Sequence, residues 1–209
     1  MLELGAGCGV VAVMLATLYR VNTVVAIELQ PELAAMIERN TALNGTAAVS
    51  AICADFRHRV VPGAEPGTFD YVVANPPYRA AATGRQSPNL QRRIARGAGG
   101  ATLAEFIAAA ARYATDHGKV AVVFTASRAA ELIVELKRHA LEPKRMRFVH
   151  PRAERPATLI LVEARKNGGT EAFIEPPLFL YRESGVYTEE AHALLTNLGE
   201  LRCLPTGKT

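Results

Sequence analysis

The chain has 209 residues, with 49% hydrophobic and 21% charged side chains and a net charge of +4, which is typical of a globular protein and permits an acidic partner. No unbroken apolar stretch reaches the ~18 residues that a membrane span requires, and no basic segment precedes the longest one, at residues 10–18. Three scattered cysteines (Cys8, Cys53 and Cys203) predict neither a disulfide framework nor a metal site, so we expect a cytoplasmic protein.

Short β-branched runs alternate with longer helical patterns, which predicts a βαβ series with a mostly parallel sheet between helices. The predicted elements are strands at 2–4, 23–28, 48–53, 69–74 and 119–124, and helices at 9–20, 31–44, 102–116 and from the capping residue Ser127 to Ala140. The first strand of such a sheet is central and usually has ~5–6 residues. The short first strand therefore leads us to expect further sequence ahead of this chain.

The pattern changes after residue 140. Residues 144–150 and 158–164 are strand-like runs whose short connection forces them to be antiparallel neighbours. The sequence therefore predicts a seven-stranded sheet that is mostly parallel and ends in an antiparallel hairpin. We expect a main domain at 1–168 and an extension packed on it at 169–209, with a turn at Ser184-Gly185 and a helix from about Thr188.

A glycine-rich turn follows the first predicted strand and precedes a helix, where doubly wound folds bind nucleotide-like ligands. Gly5 and Gly7 fit the dinucleotide fingerprint, but its third position holds Val10, and the glycine comes early, at Gly9. Glu28 ends the second strand, at about the separation expected of an acid that binds ribose hydroxyls. A ligand with a ribose and no pyrophosphate therefore fits better than NAD, and S-adenosylmethionine is such a ligand.

Two further acidic residues fit the same ligand. Glu3 precedes the glycine turn and is expected to meet a positively charged group. Asp55 follows the third strand beside Phe56, so its carboxylate is suited to accept from an adenine amino group while the ring covers the base. We favour this interpretation over a simple turn or helix cap because Glu28 and the glycine turn lie at neighbouring strand ends.

The fourth predicted strand ends in Asn75-Pro76-Pro77-Tyr78. Two consecutive prolines remove two backbone donors and fix φ, so the strand stops there. The Asn75 side-chain oxygen and the Pro76 carbonyl are suited to accept both N–H groups of a planar amine, which aims the nitrogen lone pair at a methyl group. Tyr78 is expected to stack on the plane of that acceptor. The element therefore predicts methylation of an amino group without a metal or a titrating base.

A basic run follows this element directly. Five arginines and no Asp or Glu lie between residues 79 and 100. Such a run is often a solvated loop, but its position beside the predicted catalytic element favours contact with nucleic-acid phosphates. The predicted RNA-binding residues are Arg79, Arg85, Arg92, Arg93 and Arg96.

These motifs together resemble class I S-adenosylmethionine-dependent amino-methyltransferases over residues 3–78. Further along, the chain is similar to the bacterial valine-tRNA adenine-N6 methyltransferase family over nearly its whole length. The segments that carry this similarity are 84–89, 94–96, 141–145, 149–152, 161–166 and 175–178. The resemblance implies a Rossmann-like fold and methylation of the adenine immediately 3′ of the anticodon. It also implies a segment ahead of the glycine turn that helps to cover cofactor and substrate. This chain starts without that segment.

We therefore predict a tRNA methyltransferase with two groups of site residues. The cofactor-binding residues are Glu3, Gly5, Ala6, Gly7, Gly9, Glu28, Leu29, Asp55, Phe56 and Asn75. The catalytic residues are Asn75, Pro76 and Tyr78.

Three alternatives stay open at the level of sequence. A protein glutamine N5-methyltransferase would present a planar NH₂ to the same motif, although the basic run argues against it. Methylation of a ribosomal RNA amine would use the same chemistry. A third possibility is an RNA-binding module that lacks catalysis because an upstream segment is missing.

Overall fold

The computed structural model describes residues 1–78, 100–182 and 185–196. The strands are β1 (Leu2–Leu4), β2 (Val24–Glu28), β3 (Val49–Cys53), β4 (Phe69–Ala74), β5 (Ala114–Thr125), β6 (Leu141–His150), β7 (Leu159–Lys166), β8 (Phe173–Ile174) and β9 (Leu178–Phe179). The helices are α1 (Val10–Thr17), α2 (Pro31–Leu43), α3 (Leu103–Tyr113), α4 (Ala129–Arg138) and α5 (Glu189–Thr196), with a 3₁₀ turn at Ala126–Arg128.

The strands form one sheet in the order β3-β2-β1-β4-β5-β7-β6-β8, and β9 also pairs with β6. Strands β1 to β5 are parallel, and β7 is antiparallel to both β5 and β6. The Rossmann-like fold and its antiparallel C-terminal strands are therefore confirmed. The predicted number of seven strands is too small for the described residues, because the two-residue strands β8 and β9 extend the sheet to nine.

Helices cover both faces of the sheet. On one face, Ile37 of α2 and Ala12 of α1 pack against Ala26 of β2. On the other face, a larger core forms where α3 and α4 pack on the strands, with Phe106 and Leu132 among its buried residues. No helix in the described ranges combines the length and the apolarity needed to cross a membrane.

Several element boundaries differ from the predicted ones. The predicted helix from 102 to 116 ends at Tyr113, and β5 begins at Ala114. Regular pairing of β5 with β4 starts only at Lys119, because the register shifts between Ala114 and that residue. Strand β6 begins at Leu141, ahead of the predicted start at 144, because a register shift in its pairing with β7 accommodates Pro143.

The predicted cap of α4 is wrong. Ser127 lies inside the 3₁₀ turn, and its hydroxyl is 3.1 Å from the Thr125 hydroxyl. Helix α4 begins at Ala129 with Arg128 as its N-cap residue, and no side chain caps it. The extra turn places Arg128 at the end of β5, where its side chain contributes to the site described below.

Gly9 fixes the packing of the glycine turn on α2. Its φ is +80°, a conformation that L side chains rarely adopt, and a Cβ here would lie 2.9 Å from Cγ2 of Ile37. Gly7 also has a positive φ, +58°, but a Cβ there would meet nothing within 4 Å. The two glycines therefore share a backbone requirement and differ in the space around them.

We expect Gly9→Ala to destabilise the protein more than Gly7→Ala. Both changes force an alanine into the left-handed region, at a cost of about 1–2 kcal/mol, and Gly9→Ala adds overpacking of about 1–3 kcal/mol against Ile37. Urea unfolding of the two variants measures the difference. Equal losses would show that α2 moves away without cost.

Candidate active site

The carboxyl ends of β1 to β4 surround a cavity of about 240 Å³. In open α/β sheets, ligands bind outside the carboxyl ends of the parallel strands. The cavity is lined by Gly5, Gly7, Glu28, Leu29, Gln30, Leu33, Asp55, Phe56, Arg57, Asn75, Pro77, Gly100, Ala101 and Phe106. The structure therefore brings together seven of the ten predicted cofactor residues, including Asn75. The other three, Glu3, Ala6 and Gly9, lie outside the lining.

Glu28 joins the glycine turn to the end of β2. Its Oε2 accepts a hydrogen bond of 2.8 Å from the Gly7 backbone N–H, and its Oε1 accepts one of 3.0 Å from the Gln30 backbone N–H. The Gln30 amide nitrogen also donates to Oε1, at 3.5 Å. Each carboxylate oxygen has about two lone-pair sites, so Oε2 keeps acceptor capacity. The carboxylate is therefore held in one orientation at the cavity wall and remains able to accept from hydroxyl groups.

Glu3 has a different place from the one expected. It is 5% exposed, and its Oε2 accepts a 2.8 Å hydrogen bond from the Ala12 backbone N–H instead of facing the cavity. Burial raises the pKa of Glu3 to about 8. This pKa already includes the opposing effect of the hydrogen bond from Ala12 and a smaller upward contribution from the nearby Glu28 carboxylate. Glu3 therefore ties β1 to the first turn of α1 beneath the glycine turn.

The buried Glu3 carboxyl should make stability depend on pH. Between the ordinary value of 4.5 and about 8, the folded protein retains a proton on Glu3 that the unfolded chain releases, so the unfolding free energy falls as pH rises. The fall attributable to Glu3 is at most about 5 kcal/mol across this window. Glu3→Gln keeps an acceptor for Ala12 and should be more stable than the wild type at pH 8.

Urea unfolding between pH 5 and about pH 8.5 tests this expectation. The exposed Glu32 of α2 provides the control, because Glu32→Gln should follow the wild-type pH profile. Parallel profiles for the wild type and Glu3→Gln would contradict the assigned pKa.

Asp55 is held by Arg57, a residue that the sequence analysis did not single out. The Arg57 guanidinium donates to Asp55 Oδ2 at 2.6 Å, and the Arg57 backbone N–H donates to Asp55 Oδ1 at 2.9 Å. These hydrogen bonds lower the pKa of Asp55 because they favour the charged form. The same guanidinium lies 3.5 Å from Glu105 at the start of α3. Asp55 is thus an ionised acceptor in a fixed position.

Aromatic rings form the apolar part of the cavity wall. Phe56 is 7% exposed, and its ring centroid is 4.5 Å from that of Phe106. A Cβ at Gly5 would lie 3.0 Å from the Phe106 ring, so only glycine lets the turn approach this wall. The rings give the cavity an apolar surface next to Asp55, which suits a flat heterocycle with a polar edge.

Asn75 lies at the mouth of the cavity, and Tyr78 follows it three residues later. Both side chains are exposed, and Tyr78 is 39% exposed. Partial burial raises the pKa of the Tyr78 hydroxyl, and a hydrogen bond with the Asn75 side chain opposes that shift. An amide oxygen has two acceptor lone pairs, and an amide nitrogen has two donor hydrogens. The exposed Asn75 side chain therefore keeps the capacity to accept from another molecule beside its contact with Tyr78.

Arg128 supports the backbone of this element. Its guanidinium donates a 3.1 Å hydrogen bond to the Tyr78 carbonyl oxygen and lies 5.0 Å from the centre of the Phe124 ring. Glu131 accepts two further hydrogen bonds from the same guanidinium, the longer at 2.7 Å. No local pattern identifies Arg128, because its partner Tyr78 lies 50 residues away in the sequence.

The predicted RNA-binding arginines, Arg79 to Arg96, lie outside the described residues. In the ranges that are described, no group of three or more His, Cys, Asp or Glu side chains is arranged to hold a metal ion.

Two observations test the cavity for an S-adenosylmethionine-like ligand. Gln30 Oε1 is a buried acceptor without a hydrogen-bond partner among the described residues, and Gln30 lines the cavity. Gly7 presents an open backbone surface where nothing lies within 4 Å of the position that a Cβ would take. Together with Glu28 and Asp55, these groups supply acceptors for hydroxyl and amino groups. The residues present therefore fit the ligand.

A sequence profile of the methyltransferase small domain matches residues 1–142. The chain belongs to the methyltransferase small domain family. This assignment confirms a methyltransferase that uses S-adenosylmethionine as its cofactor.

A relative from Tolumonas auensis named tRNA1(Val) (adenine(37)-N6)-methyltransferase is 28% identical over 197 residues, covering 92% of this chain and 78% of the relative. The fold resembles that of an Agrobacterium tumefaciens protein described as a predicted O-methyltransferase, with a TM-score of 0.72, 21% identity and coverage of 99% and 91% of the two chains. A ribosomal protein L11 methylase from Lactobacillus delbrueckii subsp. bulgaricus has a TM-score of 0.53, 17% identity and coverage of 79% and 69%. Both structures show the fold alone.

Proposed function

We propose that this methyltransferase transfers a methyl group to the exocyclic N6 amine of an adenine in tRNA, at the position immediately 3′ of the anticodon in a valine tRNA. The observation that carries the proposal is the position of Asn75, whose exposed amide side chain lies at the mouth of the cofactor cavity. The name of the Tolumonas auensis relative supports tRNA as the substrate. A cytoplasmic location accords with this substrate.

The chain's own residues would hold the cofactor through the cavity walls. Glu28 accepts from the ribose hydroxyls, Asp55 accepts from the adenine amino group, and Phe56 lies beside the base. Gly7 lets the backbone approach the ligand, because a side chain there would enter the cavity. When bound, S-adenosylmethionine supplies a methyl group on a sulfonium, which leaves as a neutral sulfide.

Asn75, Pro76 and Tyr78 would hold the acceptor adenine. The Asn75 amide oxygen and the Pro76 carbonyl accept the two N–H groups of N6, which draws the nitrogen toward a tetrahedral arrangement and directs its lone pair at the methyl group. The Tyr78 ring stacks on the base, and Arg128 fixes the Tyr78 backbone. The amine gives up its proton after transfer, so the residues need not include a strong base.

A loop adenine suits this site. Bases in single-stranded loops are partly unstacked, so rotating one into a pocket costs less than extracting it from a duplex. Tyr78 is 39% exposed and supplies the aromatic face that such a base needs.

Labelled S-adenosylmethionine and unmodified total tRNA test the proposal directly. We expect label in N6-methyladenosine after digestion to nucleosides. Parallel reactions with ribosomal RNA and with glutamine-containing protein substrates identify the alternatives. Label in either of these, with none in tRNA, would overturn the proposal while leaving the family assignment intact.

Asn75→Ala should lower the rate of methyl transfer at least about a hundredfold, because it removes an acceptor that positions the amine. Binding of S-adenosylhomocysteine, measured by calorimetry, should change by less than about threefold, since Asn75 only borders the cofactor cavity.

Tyr78→Phe provides the matched control for this prediction. The phenyl ring keeps the stacking surface, so the variant should retain most activity, whereas Tyr78→Ala should lose it. Unchanged turnover in Asn75→Ala would exclude the acceptor role.

A further inference from the structure

The connection between β6 and β7, residues 151–158, lies at the same sheet edge as the cavity. Strand β7 is antiparallel to both β5 and β6, so β6 runs parallel to β4 and β5. The carboxyl end of β6, at His150, therefore shares an edge with Asn75 after β4. Three strand spacings of about 4.8 Å separate β4 from β6, or roughly 14 Å.

A continuous set of contacts joins this connection to the catalytic element. Arg128 donates to the Tyr78 carbonyl, as described above. Two residues earlier, the Ala126 backbone N–H donates to the Thr158 carbonyl at 3.0 Å, and the Thr158 N–H donates to the Val149 carbonyl at 2.8 Å. The connection is therefore anchored to the same turn that supports Tyr78.

The connection presents two arginines, Arg152 and Arg155. Neither guanidinium forms an ion pair or hydrogen bond with any other described residue. The backbone that carries them is ordered, because His150 Nδ1 lies 2.8 Å from the Arg155 carbonyl oxygen and the Arg155 N–H donates to the Arg152 carbonyl at 3.1 Å. By contrast, the nearby Arg145 and Arg147 form ion pairs with Glu175. Two cations without a partner in the described parts of the chain thus lie on a structured turn.

An aromatic pair adjoins these arginines. The Tyr181 N–H donates to the Pro151 carbonyl at 2.9 Å, so the backbone of Tyr181 contacts the connection. The Tyr181 and Tyr187 rings stack with centroids 4.8 Å apart and planes inclined by 23°. Tyr187 is 40% exposed. An exposed stacked aromatic ring beside arginines that have no partner among the described residues is suited to bind bases and phosphates of single-stranded nucleic acid.

We propose that Arg152, Arg155, Tyr181 and Tyr187, here called the hairpin surface, bind the RNA substrate while its target adenine occupies the cavity mouth. The arginines contact phosphates, and the outer face of the tyrosine pair stacks with an unpaired base. A few nucleotides of single strand span the separation from Asn75. This inference rests on the proposed function, because it takes RNA as the substrate.

The test measures tRNA affinity by filter binding at several salt concentrations. Arg152→Ala and Arg155→Ala should each reduce the slope of log affinity against log salt by about one. At about 0.1 M salt, each should weaken binding roughly fivefold, since a slope of about 0.7 per contact on a single strand amounts to about fivefold over a decade of salt. Lysine at either position should restore most of the affinity.

Arg39→Ala is the matched control. Arg39 is an exposed arginine on α2, away from the hairpin surface, so its loss removes the same charge without a proposed contact. Its salt slope should equal that of the wild type. All variants should bind S-adenosylhomocysteine as the wild type does, which confirms that the cavity is intact.

Tyr187 provides a second, uncharged test. Tyr187→Leu should weaken tRNA binding about tenfold without changing the salt slope, because it removes a stacking surface but no cation. Tyr187→Phe should bind as the wild type does.

The outcomes separate the two proposals. A wild-type protein that binds S-adenosylhomocysteine but no tRNA would contradict the proposed function. A wild-type protein that binds tRNA, with Arg152→Ala and Arg155→Ala indistinguishable from Arg39→Ala, would overturn the hairpin surface alone. Loss of affinity in the alanine variants that lysine does not restore would also overturn it, since a phosphate contact requires only the charge.

Discussion

The hydrogen bond between the Gly7 backbone N–H and Glu28 Oε2 is the interaction on which the arrangement of the site depends. It joins the turn after β1 to the end of β2 at 2.8 Å, so two neighbouring strands present one surface. The turn follows this path because Gly7 tolerates a φ of +58°. Without this bond the Glu28 carboxylate would lose its fixed orientation, and the cavity would lose a wall and an acceptor together.

Much of the fold and the position of the site could be predicted from the sequence, because both depend on local patterns. Strand β4 has the predicted bounds, Phe69–Ala74, since an apolar run ends there in two prolines. The parallel order then places Glu28, Asp55 and Asn75 at one edge whatever the details of packing. The predicted strand boundaries are wrong where the register shifts, as at Pro143 in β6, because irregular pairing depends on the partner strand.

Contacts between distant residues could not be predicted in this way. Glu3 precedes the glycine turn, but its burial and its bond to Ala12 follow from how α1 packs on β1. Arg128 supports Tyr78 only because β4 and β5 are neighbours in the sheet. Arg57 lies two residues after Asp55, so a local side-chain bond was foreseeable, whereas its approach to Glu105 depends on where α3 begins.

The order of the strands separates chemistry from recognition in the proposed function. The parallel strands β1 to β4 supply the acceptors around the cofactor cavity, and the antiparallel strand β7 returns the chain so that β6 ends at the same edge. Arg128 and the 3₁₀ turn lie between these two parts and contact both, through the Tyr78 carbonyl and through Thr158. A change in this turn would therefore alter the alignment of the target base with the hairpin surface, even though no residue of the turn lines the cavity. Such a change would therefore reduce methyl transfer to RNA more than it reduced cofactor affinity.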